Sequence, residues 1–328
     1  MPDDPHADDL RPAPPGVDLA RATWDDLARV TELYRTCERD RIGTATTRPE
    51  DVRYRWLGAG GPDDDTLLVL DEDTLVAYAE FHEDADPWSD GLDLYVEGRV
   101  HPDHRGRGLA TFLLGRAEDR ARRAVARSGV PDAVLRTTVV DGDDAALAWH
   151  ARRGFHPVRH FLAMQLDLDA PPPAPVWPDG VTCRSPGHDE LAVVWEVHQR
   201  AFADLPTSVP ADLPDWREER VGRDPAFDPS LWFLAEADGA PIGVCLARGA
   251  TPEHAEVGDV RDLGVVPEWR RRGVAMALLR TALAAFRERG LTGAALEVDD
   301  VTLGGAVRLY RAAGMRVSRR TDVLELRL

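Results

Sequence analysis

A mixed α/β architecture, built twice, is the fold class this sequence predicts, and three observations carry it. Strand-like and helical segments alternate along the chain. Their order repeats after about one domain length, and a proline-rich stretch divides the two copies. The divider, Asp169 to Gly180, reads DAPPPAPVWPDG, and its prolines favour an extended spacer with little helical potential. The expected layout is a disordered acidic tail at 1–15, a first domain at 16–168, a linker at 169–179 and a second domain at 180–328.

The elements follow in parallel. Pro15-Gly16-Val17 opens the first copy and Asp179-Gly180-Val181 the second. Leu27, Val30 and Leu33 with Tyr34 recur at helical spacing, as do Leu191, Val194 and Val197. A second, shorter helical stretch comes next, at 49–57 and 212–221. Two strand-like runs then flank a turn: 66–70 and 75–81 around Asp71-Glu72-Asp73, and 231–237 and 242–247 around Asp238-Gly239. A third strand, 92–100 or 257–266, runs into an Arg/Gly loop and a long helix, 109–128 or 274–289. A strand at 133–140 or 294–298 precedes a helix at 143–153 or 303–313. That helix ends at Gly154 or Gly314, where glycine suits a left-handed cap. A last strand, 161–168 or 323–328, closes each half.

Composition narrows the function. With 328 residues and 43% hydrophobic content, two packed cores are within reach. No apolar run approaches the ~18 to 20 residues of a membrane span, and the N-terminus lacks the basic start and apolar stretch of a signal peptide. A formal net charge of −18 argues against polyanions such as DNA or tRNA and favours a cationic acceptor such as an amine. The sequence contains no Lys, so every fixed side-chain cation is Arg. Cys37, Cys183 and Cys245 lack metal-ligand spacing and read as free thiols of a reducing cytosol, so neither metal nor membrane is expected and a cytoplasmic location is.

The most informative segments are the two Arg/Gly loops. One runs Leu263-Gly264-Val265-Val266-Pro267-Glu268-Trp269-Arg270-Arg271-Arg272-Gly273-Val274-Ala275. The other runs Gly98-Arg99-Val100-His101-Pro102-Asp103-His104-Arg105-Gly106-Arg107-Gly108-Leu109-Ala110. Each follows a strand, turns at Pro and enters a helix through Arg-x-x-Gly-x-Ala. The first amides of a helix have no internal partner, and the helix dipole adds roughly half a positive charge there. A diphosphate accepts such amides. Gly273 and Gly108 permit close approach, and Arg270, Arg271 and Arg272, or Arg105 and Arg107, supply charge-assisted donors. A P-loop is disfavoured, since no Gly-Lys-Ser/Thr exists, and a dinucleotide fold is disfavoured because the loop follows the third strand.

On these motifs both halves resemble the GNAT superfamily of N-acetyltransferases, whose coenzyme signature is Arg/Gln-x-x-Gly-x-Gly/Ala. The resemblance covers nearly the whole chain outside the tail and linker and marks it as a tandem, two-domain member. It implies acetyl-CoA as cofactor. It also implies a mostly antiparallel, twisted sheet in each half, with a splayed strand pair that receives the pantetheine arm. The strand ends concerned are Leu263 to Val265 and Gly98 to Val100. Helix starts at Val274, Ala275, Leu109 and Ala110, with Gly106 in the loop, complete the expected cofactor set.

Within the resemblance, Leu303 to Met315 matches the family's Ala-x-x-Leu-Tyr-x-x-x-Gly-Phe helix, with Met315 in place of Phe. This implies Tyr310 as general acid. His150 stands at the corresponding place in the first half, where helix-end packing is the favoured reading. Asp259 lies at the spacing where some members place a catalytic carboxylate, and its partner by sequence is Leu94. With regular alternation Asp259 would face the same side as Val257, Arg261 and Leu263, and Asp262 the other, as the competing base. A plain ion pair is the bland alternative for Asp259. Asp299 and Asp300 are candidates to line the acceptor cleft, and Phe202, Trp216, Glu218 and Glu219 to wall it.

The expected function is N-acetylation of a primary amine on a small molecule, with chemistry in the second half, by a monomer or homodimer. The alternatives are an acyl-CoA-binding regulatory protein, an acetyltransferase acting on peptides or proteins, and a tandem transferase that uses charged tRNA. The acidic balance and intact loops argue against the last.

Overall fold

The computed structural model describes residues 12–45, 47–58, 61–62, 65–84, 92–128, 133–205, 211–222, 224, 227–251, 254–299 and 304–328. Most of the acidic tail, and Asp300, lie outside them. The chain forms two compact units. Unit 1 takes Met1–Val158 together with Asp322–Leu328, and unit 2 takes Arg159–Thr321.

Unit 1 runs β1 (Asp18–Ala20), α1 (Leu27–Ile42), α2 (Pro49–Gly58), β2 (Thr66–Asp71), β3 (Thr74–Asp84), β4 (Leu92–Val100), α3 (Leu109–Ser128), β5 (Ala133–Val140) and α4 (Asp144–Ala151). The chain continues through β6 (His156–Asp167). It then runs through β7 (Val181–Arg184), α5 (Leu191–Phe202), α6 (Leu213–Arg217), β8 (Trp232–Ala237), β9 (Ala240–Arg248), β10 (Val257–Val265), α7 (Val274–Glu288), β11 (Gly293–Asp299), α8 (Gly304–Ala312) and β12 (Arg316–Arg327). In unit 1 the strand order is β1-β2-β3-β4-β5, antiparallel except for the parallel β4–β5 pair. In unit 2 it is β7-β8-β9-β10-β11-β6, again with one parallel pair, β10–β11.

The long helices hold the sheets through one apolar stripe each. Leu109, Phe112, Leu113, Ala117 and Ala121 line α3, and Val274, Leu278, Ala282 and Phe286 line α7, at the three- and four-residue steps of a helix. Leu278 and Phe286 are fully buried, and side chains of this size contribute about 2 kcal/mol each on burial. Gly154 and Gly314 adopt φ of 89° and 96°, the left-handed caps their positions called for.

The closing strands change places relative to the sequence reading. The strand at 161–168 was expected to close the first half, yet residues 161–167 of β6 pair with β11 in unit 2, from Asp167↔Gly293 to Phe161↔Asp299. The strand at 323–328 was expected to close the second half, yet it lies beside β5 of unit 1. There the Leu328 N–H donates to the Ala133 carbonyl at 2.9 Å, and Leu324 enters the core. The reason is the duplication itself. Both sheets offer the same kind of edge after their fourth helix, so hydrophobic alternation does not say which edge a terminal strand completes.

In both units the parallel pair comes apart. β4 and β5 are in register only over 92–95 and 133–136, and β10 and β11 only over 257–259 and 293–295. Beyond those residues no pairing joins the two strands among the described residues, although each strand continues. A wedge-shaped gap results, and it opens toward the Arg/Gly loop.

Candidate active site

The loop after β10 takes one short 3-10 turn at Pro267–Trp269, and Gly273 then caps α7 with φ 92°. The first intrahelical bond runs from the Ala277 N–H to the Gly273 carbonyl at 3.0 Å, and no side chain caps the helix. The amides of residues 273–276 therefore project from the helix start. Unit 1 repeats this after Pro102–His104: Gly108 has φ 82°, and the Phe112 N–H donates to its carbonyl at 2.9 Å. A Cβ at Gly273 or Gly108 would meet nothing within 4 Å, so open space lies before each helix start, and the positive φ excludes most side chains. Each is a cradle a diphosphate fits and a side chain would fill.

The guanidinium groups depart from expectation. Arg270 is a brace. Its Nη1 lies 2.6 Å from Asp204 Oδ2, its Nη2 donates to the Ala201 carbonyl at 2.8 Å, and its Nε to the Val265 carbonyl at 3.0 Å. Arg105 pairs in the same manner with Asp40 at 2.7 Å. Both were read as phosphate donors. They instead tie the loop to the end of the first helix, because the acidic residue there neutralises them at short range. Arg107 is also held, by Asp71 at 2.6 Å. In unit 2, Arg271 and Arg272 have no carboxylate partner among the described residues, and Arg272 lies over the Trp269 ring at 4.7 Å. Arg271 adopts φ 63°, where Gly106 of unit 1 has 77°.

Backbone polarity of the gap follows from pairing. The Val266 N–H donates to the Ile242 carbonyl at 2.9 Å, so alternation directs Asp262 and Gly264 toward β9 and Leu263 and Val265 into the gap. In unit 1 the His101 N–H donates to the Val76 carbonyl at 2.9 Å, which by the same rule turns Gly98 and Val100 to the gap. Leu263, Val265 and Val100 thus turn their backbone groups to the gap.

β10 carries a bulge between Val260 and Asp262, whereas β4 keeps an unbroken register. The extra residue, Arg261, has two consequences that regular alternation missed. Asp259 opposes Arg248 and Asp262 opposes Leu246, so both carboxylates share one face. Asp259 also matches Tyr95, not Leu94, since Tyr95 opposes His82 as Asp259 opposes Arg248.

Asp259 is bound to Arg248, at 2.8 Å from Nη2 and 2.9 Å from Nε. Arg248 and Arg261 both reach the buried Asp224. Asp262 faces α5, with its Oδ2 2.9 Å from Arg220 Nε and its Oδ1 3.5 Å from His198 Nε2. Burial alone would raise the Asp262 pKa, but His198, Arg220 and Arg261 hold it at about 2. Tyr310 is buried in the unit 2 core, and desolvation, with the nearby Cys245 and Asp262, pushes its phenol well above the usual value. His150 is a packing residue: its ring lies against Trp149 and Phe155, its Nδ1 is 2.9 Å from the Ala146 carbonyl, and burial lowers its pKa.

Among the proposed walls, Trp216 is buried between His198 and Trp232, and Phe202 lies against the His198 ring at 4.7 Å. Glu219 pairs with Arg220, Glu218 is exposed, and Asp299 lies 3.6 Å from Arg159. His198 was not singled out from the sequence. Its signal was there: it follows Val197 directly on a buried helical stripe, where a polar ring needs a reason.

The Acetyltransferase (GNAT) family model matches residues 27–155 and again 194–315. The chain belongs to the GNAT family. A mycothiol acetyltransferase of Thermobispora bispora is 35% identical over 267 residues, covering 79% of this chain and 82% of that one. A mycothiol acetyltransferase of Streptomyces avermitilis is 34% identical over 323 residues, 95% and 92% of the two chains. A GCN5-related N-acetyltransferase from Sphaerobacter thermophilus superposes with a TM-score of 0.81 at 29% identity, over 96% and 97% of the chains. A tandem GNAT protein from the clavulanic acid biosynthesis pathway shares the fold, at TM-score 0.66 and 18% identity over 95% and 98%. The protein is therefore an acetyltransferase that uses acetyl-CoA to acetylate nitrogen. The reading as a regulatory protein without turnover is set aside. No described helix is long and apolar enough to cross a membrane, and no described cluster of His, Cys, Asp or Glu could hold a metal.

Proposed function

We propose that the acceptor is a primary amine on a small molecule and that transfer takes place in unit 2, by direct attack on the thioester. The observation that carries the placement is that Arg272 of the unit 2 loop has no carboxylate partner among the described residues, whereas its counterpart Arg107 is held by Asp71, and that Tyr310 stands where unit 1 has the packed His150. When bound, acetyl-CoA supplies an activated acyl carbon. The chain's own groups do the rest. The amides of residues 273–276, with Arg271 and Arg272, would hold the diphosphate. The gap-facing Leu263 and Val265 backbone would align the arm, and Leu263 N–H is suited to stabilise developing negative charge on oxygen. Tyr310, uncharged at neutral pH, can donate a proton to the departing sulfur. The acidic surface favours a cationic acceptor. The relatives' names make an amine of the mycothiol type the first to try.

Release of free CoA is measured with a panel of small amines, including the unacetylated form of mycothiol, and with basic peptides. Turnover is expected with a small amine and to fall at least about a hundredfold in Gly273→Glu, whose carboxylate sits in an anion cradle. Gly108→Glu is expected to retain transfer. Activity that survives Gly273→Glu and is lost in Gly108→Glu would move the chemistry to unit 1, and a preference for peptides would overturn the acceptor class.

A further inference from the structure

We infer that His198 is the general base of the transfer and that Asp262 positions it. The inference rests on the placement of the chemistry in unit 2 and adds to it the residue that takes the proton.

His198 is 8% exposed, and neither ring nitrogen makes a hydrogen bond among the described residues. Buried polar side chains are nearly always satisfied, so an imidazole in this state needs a partner of some other kind. Its ring packs against two others, Phe202 at 4.7 Å and Trp216 at 5.7 Å, both tilted to it. Its Nε2 lies 3.5 Å from Asp262 Oδ1, longer than a closed hydrogen bond but short enough for a carboxylate to set the tautomer. With Nε2–H toward Asp262, Nδ1 is the nitrogen left to accept. The packing that fixes the ring and the charge that orients it come from separate elements, α5 and α6 for the first and β10 for the second.

The groups facing the pair are few. Asp262 faces His198 from β10, while Phe202 and Trp216 bring no charge. Arg220 and Arg261 act on Asp262, whose field also reaches Cys245 and Tyr310. Asp262 is itself a weak base, since it stays ionised far below neutrality. Asp259 is committed to Arg248 at 2.8 Å. Unit 1 supplies the contrast. Residue 34 follows Leu33 on α1 as residue 198 follows Val197 on α5, and Glu97 opposes Glu80 as Asp262 opposes Leu246. The unit 1 residue is Tyr34, whose phenol burial pushes to a still higher pKa and which cannot take a proton near neutral pH.

The balance is complete with the groups named. The acceptor reacts as the neutral amine, its ammonium proton having passed to solvent; its nitrogen forms a bond to the acetyl carbon and the carbon–sulfur bond breaks. One amine proton passes to His198 Nδ1, directly or through one water, and the Tyr310 hydroxyl proton passes to sulfur. Solvent then returns the proton from imidazolium to phenolate.

The test compares wild type with His198→Gln, Asp262→Asn and Asp259→Asn. It reads kcat/KM against pH, acetyl-CoA affinity, and the His198 imidazole resonances by NMR in ligand-free protein. His198→Gln is expected to lower kcat/KM by about a hundredfold or more, remove the acid limb of the profile and keep acetyl-CoA affinity. Asp262→Asn is expected to lower kcat/KM by about tenfold and to move the His198 ring resonances, because the carboxylate sets the tautomer of the ring. Asp259→Asn is expected to keep the limb. A His198→Gln enzyme with its acid limb intact overturns the base, and an unmoved His198 resonance in Asp262→Asn overturns the positioning role. If Asp262→Asn does not fold, Asp262→Glu replaces it, and an unmoved resonance counts the same way. Gly273→Glu separates the two readings: if it abolishes transfer while His198→Gln does not, only this inference falls.

Discussion

The two units share a backbone plan and differ in what stands on it. Each has a wedge between its parallel strands, a glycine with φ above 80° at the mouth and a brace from an aspartate to the loop, Asp40 to Arg105 and Asp204 to Arg270. The differences fall on the sites where chemistry would occur. Unit 2 has a bulge, Arg271 and Arg272 without a carboxylate partner among the described residues, His198 with Asp262, and Tyr310. Unit 1 has a straight β4, an Arg107 neutralised by Asp71, Tyr34 with Glu97, and a packed His150. In unit 1 the face carries a buried polar chain. Trp56 Nε1 donates to the Tyr78 hydroxyl at 2.8 Å, that hydroxyl donates to Glu80 at 2.8 Å, and Arg55 lies 3.1 Å from Glu80. The lesson is that a shared main-chain plan leaves a handful of side chains to distinguish the two units.

Three experiments bear on that contrast, beginning with the largest effect. Tyr310→Phe is expected to lower kcat about a hundredfold with little change in acetyl-CoA affinity, while His150→Phe leaves kcat within threefold. Steady-state kinetics with calorimetry checks this, and equal losses in the two variants would erase the asymmetry. Next, Asp40→Asn with Asp71→Asn frees Arg105 and Arg107 and is expected to tighten CoA binding in unit 1 by about threefold to tenfold. Calorimetry at two salt concentrations reads it, and the gain shrinks as salt rises. The smallest effect is Arg271→Gly, which gives unit 2 the residue type of Gly106. It is expected to stabilise the fold by about 1 kcal/mol, since a side chain at positive φ is strained, while weakening CoA affinity through the lost charge. Chemical denaturation and calorimetry separate these, and a destabilised variant would show that Arg271 is held by contacts of its own.

Much of the site was legible in the sequence because it depends on local patterns. The glycines at 108 and 273, the Pro-initiated turns and the apolar stripes of α3 and α7 each read from a few neighbouring residues. The carboxylates were not. A single bulged residue, Arg261, puts Asp259 and Asp262 on one face where regular alternation would part them, and no period-two pattern marks it when the flanking side chains are Asp, Arg and Asp. His198 was overlooked for the opposite reason: the apolar spacing around it was so regular that the polar residue beside it drew no notice.

By itself, the sequence determined that there are two copies of one α/β unit, that in each a strand runs through a Pro turn into a glycine-capped helix, and that the net charge is negative. These are properties of composition and short-range periodicity. Tertiary structure alone decided that the closing strands lie in exchanged units, that Arg270 and Arg105 are braces, and that Asp262 meets His198 while Asp259 meets Arg248. The physical reason is common to all three. Equivalent sheet edges and competing charges lie far apart along the chain, and only folding fixes which of several chemically acceptable partners stands within reach.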